Sequence, residues 1–383
     1  MGMIDSTGPM VSLAKESFHL SNTMATLLPM LGYIMFGLLS VPIGLLQEKK
    51  GKKYILFIGL VIAFLGLAIP ILSGMYGKML VDTSSNLQFY KILLAILLLG
   101  AGASILQVSG NPVIRDVSDE GKYSKNLSLA QSFITIGSSF GFLIPVIMFR
   151  AFGLDWSVIF VFFIIIVLID LIWLKSIKIT EKRFTDKRPV TFGSCMKLLK
   201  NRYVLAMVMG IFIYCGVEIS MSSHIPILLK ERYSISVEKI GLLISWSLFY
   251  LPILAGRFLG SWILSKIAPK KLLLVTISMA LLGILLLFIG SLYITLIGIF
   301  LVGLGFANIF PLIFSITIDH MPEYTNELSG LMVSAIAGGA FIPFIMGVVA
   351  DTTTIQFAFV VPLLCIAYLL FVALINNRKI QFS

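Results

Sequence analysis

The chain has 383 residues, of which 58% are hydrophobic and only 12% are charged, and its mean hydropathy is +1.02. This composition lies outside the range of water-soluble domains and predicts a protein embedded in a lipid bilayer. The formal net charge of +11 does not come from basic segments interleaved with aromatic residues, which argues against nucleic-acid binding. The three cysteines, Cys195, Cys215 and Cys365, show neither a disulfide framework nor the spacing of a metal site, so no cofactor is expected.

A membrane-crossing helix needs about 20 mostly apolar residues, and eleven stretches of the chain meet this requirement. They lie near residues 22–46, 54–73, 89–114, 127–149, 157–174, 203–229, 240–262, 272–289, 293–318, 329–349 and 357–375. The first fourteen residues, MGMIDSTGPMVSLA, would cover only about 21 Å as a helix and are interpreted as the outer part of a first span that lacks its beginning. We therefore predict an all-α polytopic membrane protein with twelve transmembrane helices, the first of them truncated.

Basic residues are distributed unequally between the two sets of loops. Counting the incomplete span as the first, the loops after the even-numbered spans and the C-terminal tail hold 21 Lys and Arg, whereas the opposite loops hold 7. Basic residues concentrate on the cytoplasmic side of membrane proteins. Both termini are therefore predicted to be cytoplasmic, and most of the net charge reflects topology.

One long connection carries nine basic and two acidic residues and divides the spans six and six. It predicts an N-terminal half of residues 1–174, a cytoplasmic linker of residues 175–202 and a C-terminal half of residues 203–383.

The two halves contain patterns that recur in the same order. In the first half GAGASILQVSGNP is followed by Pro145, 33 residues after Pro112, and in the second half GLGFANIFP is followed by Pro343, 32 residues after Pro311. Repeats of the same orientation predict halves related by an axis along the membrane normal, an architecture typical of alternating-access transporters. Each proline is expected to interrupt or bend its helix, because proline removes a backbone N–H donor.

The segment GSSFG, residues 137–141, matches the G-x-S-x-G turn that presents the nucleophile of a hydrolase. That chemistry requires a strand-turn-helix context and a histidine partner, whereas this segment lies inside a predicted span. Small residues spaced by four are typical of close helix packing in membranes. The protein is therefore not expected to be an enzyme.

The loop between the second and third spans carries a signature. In GLLQEKKGKK, Gly44 is followed by Glu48, Gly51, Lys52 and Lys53, with Glu48 where aspartate is usual. This pattern resembles the loop signature of the major facilitator superfamily. The resemblance implies the major facilitator fold, with two six-helix halves.

Three longer stretches resemble the fucose permease family, the fucose, galactose and glucose proton symporters. They are GNPVIRDVSDEGKYSKNLSLAQSFITIGSSFG, GIFIYCGVEISMSSHIPILL, and IFPLIFS together with SGLMVSAIAGGAFIPFIMGVVAD. The resemblance implies a transporter of the bacterial inner membrane that imports a small hexose or deoxyhexose together with protons. The family pattern has a glutamate needed for proton-linked transport where this chain has Gln107, and its first-span aspartate matches Asp5.

Asp5 and Glu218 are the acids predicted to lie deepest in the membrane. An ionisable side chain in hydrocarbon is unfavourable, so such residues usually face a cavity and have a function. Tyr214 lies four residues before Glu218, on the same helical face. We predict that one of these acids, Asp5 or Glu218, binds the transported proton. The alternative for Asp5 is a structural partner of a residue not seen in the sequence, and the alternative for Glu218 is a static hydrogen bond inside the bundle.

Amide side chains both donate and accept hydrogen bonds, as sugar hydroxyls require, and aromatic rings can stack on the apolar face of a sugar. The predicted substrate-binding residues are Gln107, Asn111, Gln131, Asn308, Tyr214, Tyr250 and Phe310. The alternative for the amides is a polar link between spans, and the alternative for the rings is contact with lipid.

Arg257 is the only basic residue predicted within a span, near the cytoplasmic end of that span. We predict that it acts as a gate or loop clamp, paired with Asp319 or Glu323. The matching clamp predicted for the first half consists of Glu48, Lys52 and Lys53.

These features predict a secondary active transporter, a monomer in the bilayer, that imports a small sugar by alternating access with proton symport. Gln107 replaces a titratable group and keeps two alternatives open. The first is a proton-independent uniporter or exporter of the same fold, and the second is a non-transporting sugar sensor. The expected partners are a sugar, protons and lipid.

Overall fold

The structure, a computed structural model, describes residues 1–77, 86–117, 123–178, 192–264 and 266–377. Every regular element within these ranges is helical, which confirms the predicted all-α class.

The α-helices of the described ranges follow one another with short connections. In chain order they are α1 (Gly2–Asp5), α2 (Thr7–Ser17), α3 (Asn22–Ala25), α4 (Leu27–Lys50), α5 (Lys52–Leu72), α6 (Asn86–Val117), α7 (Tyr123–Phe152), α8 (Val158–Ser176), α9 (Phe192–Leu198), α10 (Arg202–Tyr233), α11 (Leu242–Ser245), α12 (Leu251–Ile263), α13 (Pro269–Leu286), α14 (Leu292–Phe306), α15 (Ile309–His320), α16 (Thr325–Ser334), α17 (Gly338–Thr352), α18 (Ile355–Ala358) and α19 (Val360–Asn377). Short π-helical or 3₁₀ turns stand between some of them, at Val237–Gly241, Trp246–Tyr250, Pro322–Tyr324 and Ala335–Ala337.

Eleven helical segments of the described chain are long and apolar enough to cross a membrane, as predicted. Several run beyond the expected ends: α10 extends over Arg202–Tyr233, because the polar residues at its outer end still belong to the helix. The first seventeen residues form α1 and α2, and their apolar side chains are buried inside the bundle. α1 packs against α7, and α2 packs against α10.

The turn between α4 and α5 depends on a glycine. Gly51 has φ of 88° and ψ of 149° and is the residue at which α4 ends and α5 begins. A positive φ is strained for residues with a Cβ atom but not for glycine. The glycine of the loop signature therefore allows two spans to be joined by a single residue.

Three of the four prolines do not interrupt their helices. α6 continues through Pro112, α7 through Pro145 and α17 through Pro343. Proline is tolerated within membrane helices because neighbouring groups satisfy the freed carbonyl. In the second half the interruption falls before Pro311, between α14 and α15 at Ala307 and Asn308, so that Pro311 lies in the first turn of α15 where an N–H has no helical partner in any case.

Gly338, at the start of α17, marks a very close approach of two helices. A Cβ atom added there would overlap the main-chain carbonyl oxygen of Phe212 on α10, which cannot rotate away. Gly330, on the neighbouring α16, has no atom within 4 Å of the position that a Cβ would take.

We therefore expect Gly338→Ala to lower the stability of the purified protein by about 2 kcal/mol or more, since α10 and α17 must separate. Gly330→Ala is the matched control, expected to leave stability unchanged or to raise it by up to about 1 kcal/mol through helix propensity. Thermal unfolding in detergent compares the two variants. Equal melting temperatures would contradict the close contact.

Candidate functional site

A cavity lies inside the helix bundle and contains both acids predicted to be deepest in the membrane. Its lining residues are Met1, Asp5, Tyr33, Gln107, Gln131, Ile134, Thr135, Ser138, Tyr214, Cys215, Glu218, Ile219, Tyr250, Arg257, Phe310 and Ile336. Its volume is about 40 Å³, which is room for a few water molecules. The lining comes from helices that precede and helices that follow the long basic connection.

Asp5 is held by two hydroxyl groups. The Tyr33 hydroxyl of α4 donates to Oδ1 at 2.5 Å, and the Ser138 hydroxyl of α7 donates to Oδ2 at 2.8 Å. Both oxygens of the carboxyl group therefore have a partner, so three separate helices fix its orientation.

Arg257 extends from α12 into the cavity, and its side chain is only 11% exposed. Nε donates to the carbonyl oxygen of Ala307 at 3.2 Å, and Nη1 donates to the carbonyl oxygen of Gln131 at 3.1 Å and to the Thr135 hydroxyl. Nη2 faces Oε1 of Glu218 at 3.8 Å. The guanidinium therefore hydrogen-bonds to oxygen atoms of α7 and of the α14–α15 junction, and it lies near the carboxyl group of Glu218 without a hydrogen bond to it.

Aromatic side chains form one wall. The Tyr214 hydroxyl donates to the carbonyl oxygen of Phe306 at 3.1 Å, and the Tyr214 ring centroid lies 6.3 Å from that of Phe310. The ring of Tyr250 lies 4.9 Å from the ring of Phe142, centroid to centroid. These rings are buried and pack on one another, so the wall that they form is preorganised.

Most of the predicted site residues meet in this cavity. Asp5, Glu218, Gln107, Gln131, Tyr214, Tyr250 and Phe310 all line it. Asn111, one helical turn beyond Gln107, is not among the lining residues.

Asn308 requires a correction, because it does not line the cavity. Its Nδ2 donates to the carbonyl oxygen of Gly256 at 2.8 Å, and the side chain fills the space beside Gly260. This is the polar link between spans that was the alternative to sugar contact.

The position and partner predicted for Arg257 also require correction. It lies in the cavity and pairs with Glu218, not with Asp319 or Glu323. The absence of a side chain at Gly256 lets α12 approach the α14–α15 junction, where the carbonyl of Ala307 accepts a hydrogen bond from Nε. The guanidinium is thereby directed inward.

The structure describes two of the three side chains of the clamp predicted for the first half, those of Lys52 and Lys53. Lys53, in the first turn of α5, donates from Nζ to the carbonyl oxygen of Ile177 at 2.5 Å, just beyond the end of α8. A cation is favourable at a helix C-terminus. Lys52 is the first residue of α5, and the side chain of Glu48 lies outside the described part of the structure.

Sequence reasoning missed three hydroxyl residues of the site, Tyr33, Thr135 and Ser138. Thr135 and Ser138 share a face of α7 with Gln131, because their spacings are three and four residues. That spacing is visible in QSFITIGS, where it could have been taken as a polar stripe.

Charged pairs join α2 to α10 at one end of the bundle. Lys15 pairs with Glu231 at 2.5 Å, and Lys230 pairs with Glu16 at 2.8 Å. The arrangement is reciprocal: each helix contributes a lysine followed by a glutamate. This end belongs to the loops that carry few basic residues.

A second tie at the same end joins α3 to the end of α17. The Asp351 carboxylate accepts from the main-chain N–H and the side-chain amide of Asn22, each at 2.8 Å, and from the N–H of Thr23 at 2.7 Å. A carboxylate at a helix N-terminus is favourable.

Most of the chain matches known proteins. A sequence profile of the Major Facilitator Superfamily matches residues 1–343. The glucose/galactose transporter of Brucella abortus is 25% identical over 383 residues, covering 95% of this chain and 88% of that protein. The L-fucose-proton symporter of Escherichia coli is 24% identical over 407 residues, covering 95% of this chain and 87% of that protein.

Solved structures give the same answer for the fold. A crystal structure of the Escherichia coli fucose:proton symporter has a TM-score of 0.72 to this chain at 20% identity, covering 99% of this chain and 97% of that chain. The fold is the major facilitator fold, and with eleven candidate spans in the described residues the protein is a multi-pass membrane protein. The chain belongs to the Major Facilitator Superfamily.

Proposed function

We propose that the protein imports a small sugar of the hexose or deoxyhexose type across a bacterial inner membrane by alternating access, in symport with protons. One observation carries the proposal: a single buried cavity combines two carboxyl groups, one guanidinium, two amides and aromatic rings. The names of the relatives support the substrate class. The halves are residues 1–174 and 203–383, joined by residues 175–202, with both termini cytoplasmic.

The amides and rings provide sugar recognition. Gln107 and Gln131 each bring a donor and an acceptor to the cavity, while Tyr250 and Phe310 offer apolar faces. A cavity of about 40 Å³ is far below the several hundred Å³ of ordinary ligand sites. Sugar binding therefore requires the helices around the cavity to move apart, as alternating access demands.

The two acids carry the coupling. Both oxygens of Asp5 are hydrogen-bonded by hydroxyls, whereas the ion pair of Glu218 with Arg257 is 3.8 Å long and exceeds hydrogen-bonding distance. Glu218 is the more weakly held acid and is the first choice for the group that binds and releases the transported proton. Asp5, which lines the same cavity, supports it.

The reciprocal pairs between α2 and α10 make this an outward-closed conformation on the proposed topology. Lys15, Glu16, Lys230 and Glu231 then form the periplasmic gate, and the clamp of Asp351 reinforces it. These pairs must separate for sugar to enter from outside.

A proton-independent uniporter is the second candidate. Gln107 favours it, because this cavity-lining amide cannot take the proton that a glutamate at that position would carry.

Uptake of a labelled sugar panel into proteoliposomes, with and without an imposed pH gradient, tests the function. We expect gradient-dependent accumulation by the wild-type protein. Glu218→Gln is expected to abolish accumulation but to keep sugar counterflow, since counterflow needs no net proton movement. Asp170→Asn, which changes an acid on α8 outside the cavity, is the matched control and should behave as wild type.

The outcomes separate the candidates. Uptake that does not depend on the gradient would establish the uniporter, and uptake of no sugar would remove transport as proposed. Full accumulation by Glu218→Gln would show that Glu218 is not the coupling acid.

The periplasmic gate predicts a charge-reversal effect. In protein lacking Cys195 and Cys365, we expect Lys15→Glu to raise the rate at which a membrane-impermeant maleimide labels Cys215 from outside. The expected rise is about two- to fivefold, since an exposed pair contributes about 0.2–1 kcal/mol. The double variant Lys15→Glu/Glu231→Lys should restore the original rate.

Lys91→Glu serves as the control, because Lys91 lies on the same side of the proposed topology but outside the reciprocal pairs. If the double variant labels as fast as the single variant, the pair does not hold the gate.

A further inference from the structure

One helix, α7, makes hydrogen bonds with two charged side chains that line the cavity, Asp5 and Arg257. Gln131, Thr135 and Ser138 form a polar stripe along it. Ser138 donates to Asp5, while the carbonyl of Gln131 and the hydroxyl of Thr135 both accept from Arg257. α7 precedes the long connection and α12, which carries Arg257, follows it, so these contacts join the two proposed halves.

The hydroxyl of Thr135 has a fixed direction. It donates its hydrogen to the carbonyl oxygen of Gln131 at 3.0 Å, and the side chain is 2% exposed. Its lone pairs are therefore available to Nη1 of Arg257, whose guanidinium can only donate. The Thr135 hydroxyl therefore acts as a hydrogen-bond acceptor for the Arg257 guanidinium.

This anchoring sets the distance between Arg257 and Glu218. Nη1 is engaged by α7 and Nε by Ala307, and the remaining nitrogen, Nη2, stays 3.8 Å from Glu218. A charge-assisted hydrogen bond would bring these atoms to about 2.7–2.9 Å. The other titratable side chains that line the cavity with Glu218 are those of Asp5, Tyr33, Tyr214, Cys215 and Tyr250, so Arg257 is the cationic side chain among the described lining residues.

We propose that Thr135 is a positioning residue of proton coupling: it holds Arg257 on α7 in this conformation and releases it to Glu218 when α7 and α12 separate. With Arg257 held away, Glu218 carries its proton. Once Arg257 moves onto Glu218, the carboxyl O–H bond breaks, the proton passes to water and the ion pair closes. This inference rests on the proposed symport.

Thr135→Val removes the acceptor while keeping a branched side chain of similar shape. We expect sugar counterflow within about twofold of wild type, proton-driven accumulation lowered about tenfold, and the pH dependence of accumulation moved about one unit to lower pH. The direction follows because a free Arg257 favours ionised Glu218, which then takes a proton only in more acid solution. Thr135→Ser should restore wild-type behaviour.

Ser139→Ala is the matched control. The Ser139 hydroxyl donates to the carbonyl of Thr135 at 3.0 Å, and Ser139 is also buried on the same helix, but Arg257 makes no hydrogen bond with it. Wild-type accumulation and pH profile are expected. If Thr135→Val fails to fold, Thr135→Ala removes the same acceptor without a branched side chain.

A measurement without sugar separates this inference from the proposed function. The pH dependence of the melting temperature should shift to lower pH in Thr135→Val, and the shift should vanish when both proteins carry Glu218→Gln. Superimposable pH curves for wild type and Thr135→Val would overturn the inference, as would a loss of counterflow equal to the loss of accumulation. If wild type transports no sugar but the shift is seen, the positioning role stands and the proposed function fails.

Discussion

The burial of one guanidinium governs the arrangement of this cavity. A charge inside a membrane protein is strongly unfavourable unless polar groups surround it. Arg257 finds them on three elements: the carbonyl of Gln131 and the hydroxyl of Thr135 on α7, the carbonyl of Ala307 at the α14–α15 junction, and the carboxyl group of Glu218 on α10. Because these acceptors belong to separate helices, the position of each helix depends on the same side chain.

Small residues on α12 allow the Arg257 guanidinium to reach its acceptors. The guanidinium reaches Ala307 only because α12 presents Gly256 to the junction, and Gly260 accommodates the side chain of Asn308 beside it. Asn308 in turn donates to the carbonyl of Gly256. The interruption between α14 and α15 therefore exposes the carbonyl of Ala307 to the Arg257 guanidinium because the helices pack closely at Gly256 and Gly260. The break itself contains no proline.

The parts of this structure that the sequence could predict are those that depend on averages over many residues. Eleven spans follow from hydropathy alone, and Asp5 and Glu218 stand out because acids are rare in apolar runs. The partner of Arg257 could not be predicted, since it depends on where α12 sits against α14 and α15. Asn308 was assigned to the cavity for the same reason. The sequence around an amide in a span is the same whether the side chain faces a cavity or donates to a carbonyl of a neighbouring helix.

The ion pairs between α2 and α10 hold one end of the bundle together only weakly. Each exposed ion pair contributes about 0.2–1 kcal/mol, so the Lys15–Glu231 and Lys230–Glu16 pairs hold α2 against α10 only weakly. A ligand moves an equilibrium between two conformations by its difference in affinity for them. With weak ties between α2 and α10, a ligand that binds better when these helices are apart needs a difference in affinity of only a few kcal/mol to separate them. The stronger constraint lies at Arg257, because any separation of α7 from α12 removes the acceptors that Gln131 and Thr135 supply to it.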